Sequence, residues 1–554
     1  MKLTQIFKTT ALSLGAVLAL SGCIRETFPK ESAITEEQLL SGQMEVVAEN
    51  LLKGIPSGLM TYVSGWEHTD FGYHSVGVYN DHACGLITSN GWMTGLPAGY
   101  DRFYPAAYSW GYASNSAMPS HVWYNYYPQI KACNDLIKTL EGNETLKHYS
   151  GIARAYRAML YIDLARMFEC LYAENENNPN YETEQLAVAG LTVPIVDENL
   201  DEEGAKNNPR ATREELFNFI FADLAFCEDA LAEYVPTTIT NPDLAVVYGL
   251  YARAYLWLGG FEDGLSGELP EGNAAYTLAA EYARKAITAH GGAIMTEAEW
   301  TSVTNGFNVA ASSWMWGLQH SVDTVINNLF QFTAHMAPEA SYGYAPLSQL
   351  GVASTTYDRL SNTDFRKKLI KGPKTTYEEF KPYTSMGKDE WDAIAPYVNF
   401  KFRPANGERT EYKSAAAVTL PLMRCEEMYF IEMEAITHTQ GNDAGWTKLV
   451  EFMANRDSNY ICPTTDIVDE IIFQKGVEFY GEGIKMYDMK RLNKGYNSAY
   501  KGTNYPVDAR FNLNGRAPWW SYPIPKDETD LNKALINNNP NPSQAFDPIT
   551  EGME

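Results

Sequence analysis

Residues 153–168 read ARAYRAMLYIDLARMF, and this stretch decides the architecture that we expect for the chain. Its apolar side chains recur every three or four residues, at Ala153, Tyr156, Leu160 and Leu164. This spacing is the period of one helix face. The stretch therefore predicts a helix that buries one side against its neighbours.

The same period continues on both sides of this helix, between residues 120 and 290. Further stripes lie at 123–140, 217–231, 247–258 and 279–286. Pro128 interrupts the first, so that helix is either kinked there or begins near it. The ends are marked by a capping box, Thr212 with Glu215, by Asn241-Pro242 as a start, and by Gly259-Gly260 and Gly291-Gly292 as stops. Small side chains in one helix and large aromatics in the next are typical of tetratricopeptide units.

The rest of the chain is less regular. Residues 55–118 are rich in Gly, Tyr, Trp, Asn and His and show no sustained period, which predicts a long loop-rich region. Short strands are expected at 313–317 and 416–420, with long loops between them. Helices return at about 422–438, 443–455 and 466–481, and the last 45 residues are Pro/Asn-rich coil. We predict a mainly α protein, with tetratricopeptide-like helix pairs packed against a loop-rich part that has a few short strands.

The first 22 residues resemble a bacterial export signal. Lys2 and Lys8 precede a short apolar run, and the run ends in Leu20-Ser21-Gly22-Cys23, which resembles a lipobox. In such a signal the cysteine takes the lipid on its thiol and becomes the new N-terminal residue. Cys23 is therefore the predicted lipidation site, and an ordinary signal peptide with a chance cysteine is the alternative.

Composition and charge exclude some partners. The 554 residues carry a formal charge of −26, which repels phosphate backbones and disfavours nucleic acid. The six cysteines after Cys23 form no C-x-x-C pair, so we expect buried thiols and no structural zinc.

Several motifs occur in the order of one known family. They include Trp123…Tyr127…Ile130…Asn134, the stretch at 153–168, Val193-Pro194, Arg210-Ala211-Thr212, Ala252-Arg253-Ala254-Tyr255-Leu256, Glu426-Glu427, Glu478-Phe479…Glu482-Gly483, and Tyr522-Pro523-Ile524-Pro525. Together they resemble the SusD/RagB family over nearly all of the mature chain. The sequence departs from the family pattern at Gln474-Lys475-Gly476, at Lys485 and at Asn538-Asn539-Pro540, which we expect to be packing and ion-pair positions.

This resemblance implies a fold, a location and a partner. The fold would be SusD-like, with residues 1–22 as the lipoprotein signal peptide and 23–554 as the binding protein. The helix pairs would occupy about 23–300, and the C-terminal SusD/RagB half about 300–554. The protein would sit on the outer membrane by its lipid, over a SusC-like TonB-dependent transporter, and would bind without turnover. It implies no cofactor.

Aromatic and polar residues in the expected loops are the candidate ligand contacts. A pyranose ring lies flat on Trp or Tyr, and its hydroxyls need amide, carboxylate or guanidinium partners. This mixture is offered by Trp66, Tyr73, Tyr79, Asn80, Asp81, Asn90 and Trp92 in the first loop region, and by Tyr342 and Tyr344 in the middle of the chain.

Other chemistry has weaker support. His68, Asp70, His74 and Asp81-His82 match no standard zinc spacing, so no metal site is predicted. No nucleophile-elbow, zinc-protease or phosphate-loop motif occurs, and no catalytic residue is assigned. Three functions stay open: capture of glycans, capture of peptides by the same architecture, or a tetratricopeptide scaffold that only covers the transporter.

Overall fold

Long helices frame the chain. The computed structural model describes residues 43–61, 72–89, 113–325, 327–329 and 331–551. The helices are α1 (Met44–Leu59), α2 (Tyr73–Ala83), α3 (Ala117–Thr139), α4 (Lys147–Phe168), α5 (Tyr181–Leu186), α6 (Glu202–Ala205), α7 (Arg213–Ala230), α8 (Leu244–Gly259), α9 (Gly272–His290), α10 (Glu297–Thr301), α11 (Thr333–Met336), α12 (Ser354–Arg359), α13 (Tyr377–Phe380), α14 (Lys388–Ala393), α15 (Tyr412–Ala415), α16 (Cys425–Gln440), α17 (Asn442–Met453), α18 (Ile467–Glu478), α19 (Lys485–Arg491) and α20 (Lys526–Leu531). The strands are β1 (Ile87–Ser89), β2 (Trp314–Gln319), β3 (Leu350–Val352) and β4 (Thr419–Arg424). The predicted mainly α class is confirmed.

The long helices α3, α4, α7, α8 and α9 pack as successive neighbours. Helix α3 lies along α4, α4 along α7, and α8 along α9, which in turn packs on α16. Gly259 allows the close approach of α8 and α9, because a Cβ there would meet the Tyr276 ring at 2.6 Å. This arrangement confirms the predicted tetratricopeptide-like pairs.

The predicted helix ends are mostly where the sequence places them. The capping box of Thr212 and Glu215 is present at the start of α7, and Asp243 caps α8 by accepting the Val246 N–H at 3.1 Å. Gly291 ends α9 with a φ of 87°, which favours glycine. Helix α3 runs through Pro128, so a helix start at that proline is wrong.

The region from 55 to 118 contains a helix that the sequence did not indicate. Of the eleven residues of α2, nine are buried, among them His74, Asn80, Asp81 and His82. Because so many of these buried residues are polar, no apolar stripe marks the helix in the sequence. Gly77 of α2 lies against Gly483, where a Cβ would come within 2.3 Å of the Gly77 Cα.

Two short antiparallel ladders join distant parts of the chain. β1 pairs with β3, with Ser89 opposite Leu350, and β2 pairs with β4. Strand β4 begins at Thr419, later than predicted, because α15 occupies residues up to Ala415. In the part of the chain that the structure describes, no helix is long and apolar enough to cross a membrane.

A cluster of buried charges lies at the centre of the C-terminal half. We call it the charge cluster; its members are Lys401, Arg366, Arg424, Arg456, Asp364, Glu426, Glu478 and Glu482. Arg456 donates to both Glu478 oxygens at 2.9 Å, and Arg424 Nε donates to Glu482 at 3.0 Å. Four cations thus face four anions, which satisfies the rule that buried charges are paired.

Two residues that depart from the family pattern make buried polar contacts. Gln474 accepts a hydrogen bond from Arg366, and Lys475 forms a 2.8 Å ion pair with Asp488. Both are therefore hydrogen-bonding or ion-pair positions, as predicted. Residues 51–554 form one compact unit, and the described part of residues 1–50 is the start of α1.

Candidate functional site

The two predicted ligand segments are framed by ordered neighbours. Trp66, Asn90 and Trp92 lie outside the described residues, as does Cys23. Their described flanks are closely packed: a Cβ at Gly72 would lie 2.0 Å from the Leu59 carbonyl oxygen, so the residues before 62 and after 71 are neighbours.

The β1–β3 ladder connects the first segment to the middle of the chain. Ser89 is the last described residue before 90–112, and it pairs with Leu350. Leu350 closely follows Tyr342 and Tyr344 in the chain. The ladder therefore places Ser89 beside Leu350, six residues after Tyr344 in the chain.

The four predicted residues on α2 face inward. Tyr73 donates its hydroxyl to Asp163 Oδ2 at 2.6 Å, and its ring stacks on Tyr126 with centroids 5.6 Å apart. Burial, with the Asp163 charge, raises the pKa of Tyr73 well above its ordinary value. Tyr79 is buried and meets His121 edge to face at 5.8 Å. These contacts fix the orientation of both rings.

Asn80 and Asp81 are held by residues from the far end of the chain. Asn80 Nδ2 donates to the Tyr487 hydroxyl at 3.0 Å, and Asn80 Oδ1 accepts from the Tyr522 hydroxyl at 3.3 Å. Asp81 Oδ2 accepts the Gly481 N–H at 2.7 Å, and burial raises the pKa of Asp81 to about 7. Ligand contact by these two side chains stays a prediction, and it would require that they become exposed.

A small polar cavity lies beneath α2. Its volume is about 40 Å³, and it is lined by Tyr73, His74, Asn80, Asp163, Arg166, Arg253, Glu427 and Glu482, among others. Arg253 crosses one wall and donates to both Glu427 oxygens, at 2.7 and 2.6 Å. A space of this size holds a few water molecules at most. It is too small for a sugar ring, so it supports α2 and is not the ligand site.

The mid-chain tyrosines form a second buried group. Tyr342 shares a 2.6 Å hydrogen bond with Thr333, and Tyr344 stacks on His335 with centroids 4.9 Å apart. Alanines 334, 337, 340 and 345 surround them closely. The Phe332 ring meets His74 of α2 at 6.0 Å, so this group and α2 are in contact.

Gln331 is a residue that the sequence reasoning missed. Its side chain is buried, and neither its amide oxygen nor its amide nitrogen has a hydrogen-bond partner among the described residues. Buried amides are usually satisfied, so an unpaired one beside candidate ligand residues is a candidate contact itself. The available signal was an amide close to two tyrosines in an expected loop.

The described part of the site offers amide, imidazole and aromatic groups. Burial lowers the pKa of His74 to about 4, so its ring is neutral at physiological pH. Among the described residues, no group of three His, Cys, Asp or Glu side chains is placed to hold a metal ion. The chemistry that these residues present is stacking and neutral hydrogen bonding.

Comparison with known proteins gives matches in sequence and in fold. Residues 347–541 match the SusD family. A SusD-like carbohydrate-binding protein from Bacteroides vulgatus is 21% identical, with a TM-score of 0.65 over 89% of this chain and 97% of that one. A SusD superfamily protein from Bacteroides thetaiotaomicron is 17% identical, with a TM-score of 0.62 over 89% and 99%.

A third solved structure contains a ligand. Surface glycan-binding protein A from Bacteroides thetaiotaomicron, in complex with laminarihexaose, is 15% identical, with a TM-score of 0.61 over 89% of this chain and 99% of that one. No sequence among the curated proteins matches significantly. Residues 347–541 therefore match the SusD family, and the chain shares the fold of the SusD-like structures over 89% of its length.

Proposed function

We propose that this chain is a cell-surface lipoprotein that binds oligosaccharides and delivers them to a SusC-like TonB-dependent transporter in the outer membrane. The observation that carries the proposal is the β1–β3 ladder, which pairs Ile87–Ser89, directly before residues 90–112 in sequence, with Leu350–Val352, shortly after Tyr342 and Tyr344. Structures of similar fold support a sugar ligand, since one is named a carbohydrate-binding protein and another was solved with laminarihexaose.

Trp66 and Trp92 are the proposed stacking platform. Sugar rings present an apolar face of C–H groups, which suits an indole better than a smaller side chain. Asn90, Tyr342 and Tyr344 are proposed to contribute hydrogen bonds around the ring. Tyr73, Tyr79, Asn80 and Asp81 are proposed as further contacts from α2, which requires that their buried side chains become exposed when the ligand binds.

The proposed activity is binding without turnover. Two carboxylates that line the cavity beside α2 are engaged: Asp163 accepts from Tyr73, and Glu427 accepts from Arg253. A glycosidase needs two carboxyl groups free to act on the glycosidic bond. In the proposed mature protein, Cys23 carries the lipid, the helix pairs occupy about 23–300, and the family-matching half follows.

Calorimetric titration of the soluble chain starting at residue 24 tests the proposal. The titrants are neutral hexasaccharides, including laminarihexaose, and a peptide digest. We expect binding to one glycan class, and we expect Trp66→Ala or Trp92→Ala to abolish it. Trp446→Ala is the matched control, because this tryptophan lies on α17 with 48% of its surface exposed.

Each outcome decides between the functions. Loss of binding in the two platform variants alone supports the proposed site. Binding of peptides only would replace the sugar ligand with a peptide. Binding to nothing, together with a stable complex with the transporter, would leave the scaffold function in its place.

A further inference from the structure

A second pocket lies away from the candidate site. It has a volume of about 230 Å³ and is formed by the segment after α4, the segment after α19 and the C-terminal coil. Its lining includes Tyr172, Glu174, Asn493, Asn514, Arg516 and Phe546. None of these residues belongs to the candidate site, and the proposed function does not use them.

Tyr172 is an exposed ring on an immobilised backbone. Its carbonyl accepts a hydrogen bond from Arg516 Nη1 at 2.9 Å. The backbone of the next residue, Ala173, exchanges two hydrogen bonds with the Gln185 side chain, at 2.7 and 2.9 Å. The ring nevertheless keeps 53% of its surface exposed. A rigid, exposed aromatic loses little conformational entropy when a ligand stacks on it. Tyr172 is therefore suited to act as a stacking surface.

Arg516 brings a positive charge to the pocket without a carboxylate partner. Its Nε donates to the Lys490 carbonyl at 2.7 Å and its Nη1 to the Tyr172 carbonyl, whereas no carboxylate in the described chain forms an ion pair with it. Burial lowers the pKa of Arg516 to about 10, so the group stays charged at neutral pH. Its Nη2 makes no hydrogen bond to a described residue and is available as a donor.

Amides and carboxylates complete the lining. Asn493 Oδ1 accepts a hydrogen bond from the Arg516 backbone N–H at 3.1 Å, which leaves the Asn493 side-chain nitrogen as a second donor. Asn514 is exposed, and Glu174 is an exposed acceptor. Donors and acceptors around an aromatic face are what a ring of hydroxyl groups requires.

Charge and size narrow the ligand class. Glu174 and Glu176 outnumber the single guanidinium in the pocket, and the whole chain is acidic, so an anionic sugar would be repelled. The pocket is smaller than the roughly 300–1,000 Å³ that drug-sized ligands occupy. It therefore suits one neutral sugar ring, with the rest of the chain outside.

We propose that this pocket is a second sugar-contact site that binds one ring of a neutral polysaccharide already held at the candidate site. The inference rests on the proposed function. Two linked contacts raise the apparent affinity for a polymer, because the second contact forms at a high effective concentration. A short oligosaccharide gains no such advantage.

The test compares polymer with hexasaccharide binding in the soluble chain. The probes are laminarin and laminarihexaose, with the corresponding maltose, cellobiose and mannose polymers and hexasaccharides. Tyr172→Ala should weaken binding of the preferred polymer about fivefold, which is the size of a typical aromatic contact, and leave hexasaccharide binding at the candidate site unchanged. Asn514→Ala, a second surface change in the pocket, should act in the same direction, while Trp446→Ala should change neither.

The outcomes separate this inference from the function on which it rests. If Tyr172→Ala and Asn514→Ala bind the polymer as tightly as Trp446→Ala does, the second site is wrong and the proposed function stands. If the wild-type protein binds none of the glycans, the proposed function is wrong and the second site falls with it. Polymer binding that is weakened by Tyr172→Ala, beside intact hexasaccharide binding, supports both.

Discussion

Replacing Glu478 by glutamine should lower the free energy of unfolding by about 3–5 kcal/mol, because it leaves buried guanidinium groups without a countercharge. Glu478 accepts two 2.9 Å hydrogen bonds from Arg456 and a third, at 3.2 Å, from Arg366. The charge cluster has equal numbers of cations and anions, so the substitution leaves one uncompensated positive charge. Glutamine keeps the shape of the side chain, so the loss comes from the missing charge and from an amide NH₂ that faces an arginine donor where an oxygen accepted.

The matched control is Glu281→Gln, which removes an exposed ion pair. Glu281 keeps 54% of its side chain exposed and lies 2.9 Å from Lys285. Exposed pairs contribute about 0–1 kcal/mol, so this variant should unfold almost as the wild type does. Urea unfolding at pH 7, followed by tryptophan fluorescence, measures both. Equal unfolding midpoints for the two variants would refute the reasoning.

The pH dependence gives a second check on the same residue. Burial alone would raise the pKa of Glu478, but Arg456, Arg424 and Arg366 together hold it well below its ordinary value. Its stabilising contribution is therefore complete above the pKa of an unfolded glutamate, about 4.3, and is lost as the pH falls further below that value. The difference in the free energy of unfolding between wild type and Glu478→Gln should therefore become smaller as the pH falls below about 4.3.

Three more predictions follow from backbone crowding, a buried acid and the lipobox. Gly483→Ala should unfold at a much lower urea concentration than Gly502→Ala. The backbone strain is the same, since φ is positive at both (76° and 74°), but a Cβ at 483 would lie 2.3 Å from Gly77 whereas one at 502 meets nothing within 4 Å. Similar unfolding midpoints would contradict this. Asp81→Asn should stabilise the protein at pH 8. Burial raises the pKa of Asp81 to about 7, so the stability that protonated Asp81 contributes is complete below the unfolded pKa of about 3.9 and is lost as the pH rises through 7. Parallel stability profiles of variant and wild type between pH 5 and 8 would argue against it. Cys23→Ser should abolish incorporation of an alkyne-labelled palmitate analogue in growing cells, and retained label would exclude Cys23 as the lipidation site.

Elements with a local sequence signal could be predicted, and elements without one could not. Helix α4 is buried from Ser150 to Phe168 except at Arg154, yet its apolar residues recur at helical spacing, and the capping box at Thr212 is a local pattern. Helix α2 is also buried on nearly every side, but many of its buried residues are polar, so its sequence resembled a loop. Its identity as a helix depends on contacts with Gly483 and Tyr487, which no local window of sequence contains.

The candidate site was predictable in composition but not in orientation. The sequence indicated aromatic and amide residues in two segments, and the β1–β3 ladder pairs the residues just before 90–112 with those just after the mid-chain tyrosines. Which way each side chain faces depends on partners that are remote in sequence: Asn80 is bonded to Tyr487 and Tyr522, 407 and 442 positions away. Gln331 stands out only when its burial and its missing partners are known.

The packed residues beside the two segments have a consequence for how the ligand preference of such a protein can change. Gly72 lies against Leu59, and Ser89 pairs with Leu350, so each intervening stretch starts or ends at a point that the frame already holds. Closing a longer stretch between such points costs little, about 0.6 kcal/mol for each doubling of length. A change of length between residues 61 and 72 should therefore leave the described helices in place. On the proposed function, a chimera that exchanges residues 62–71 and 90–112 between two SusD-like proteins should transfer the preference for a sugar.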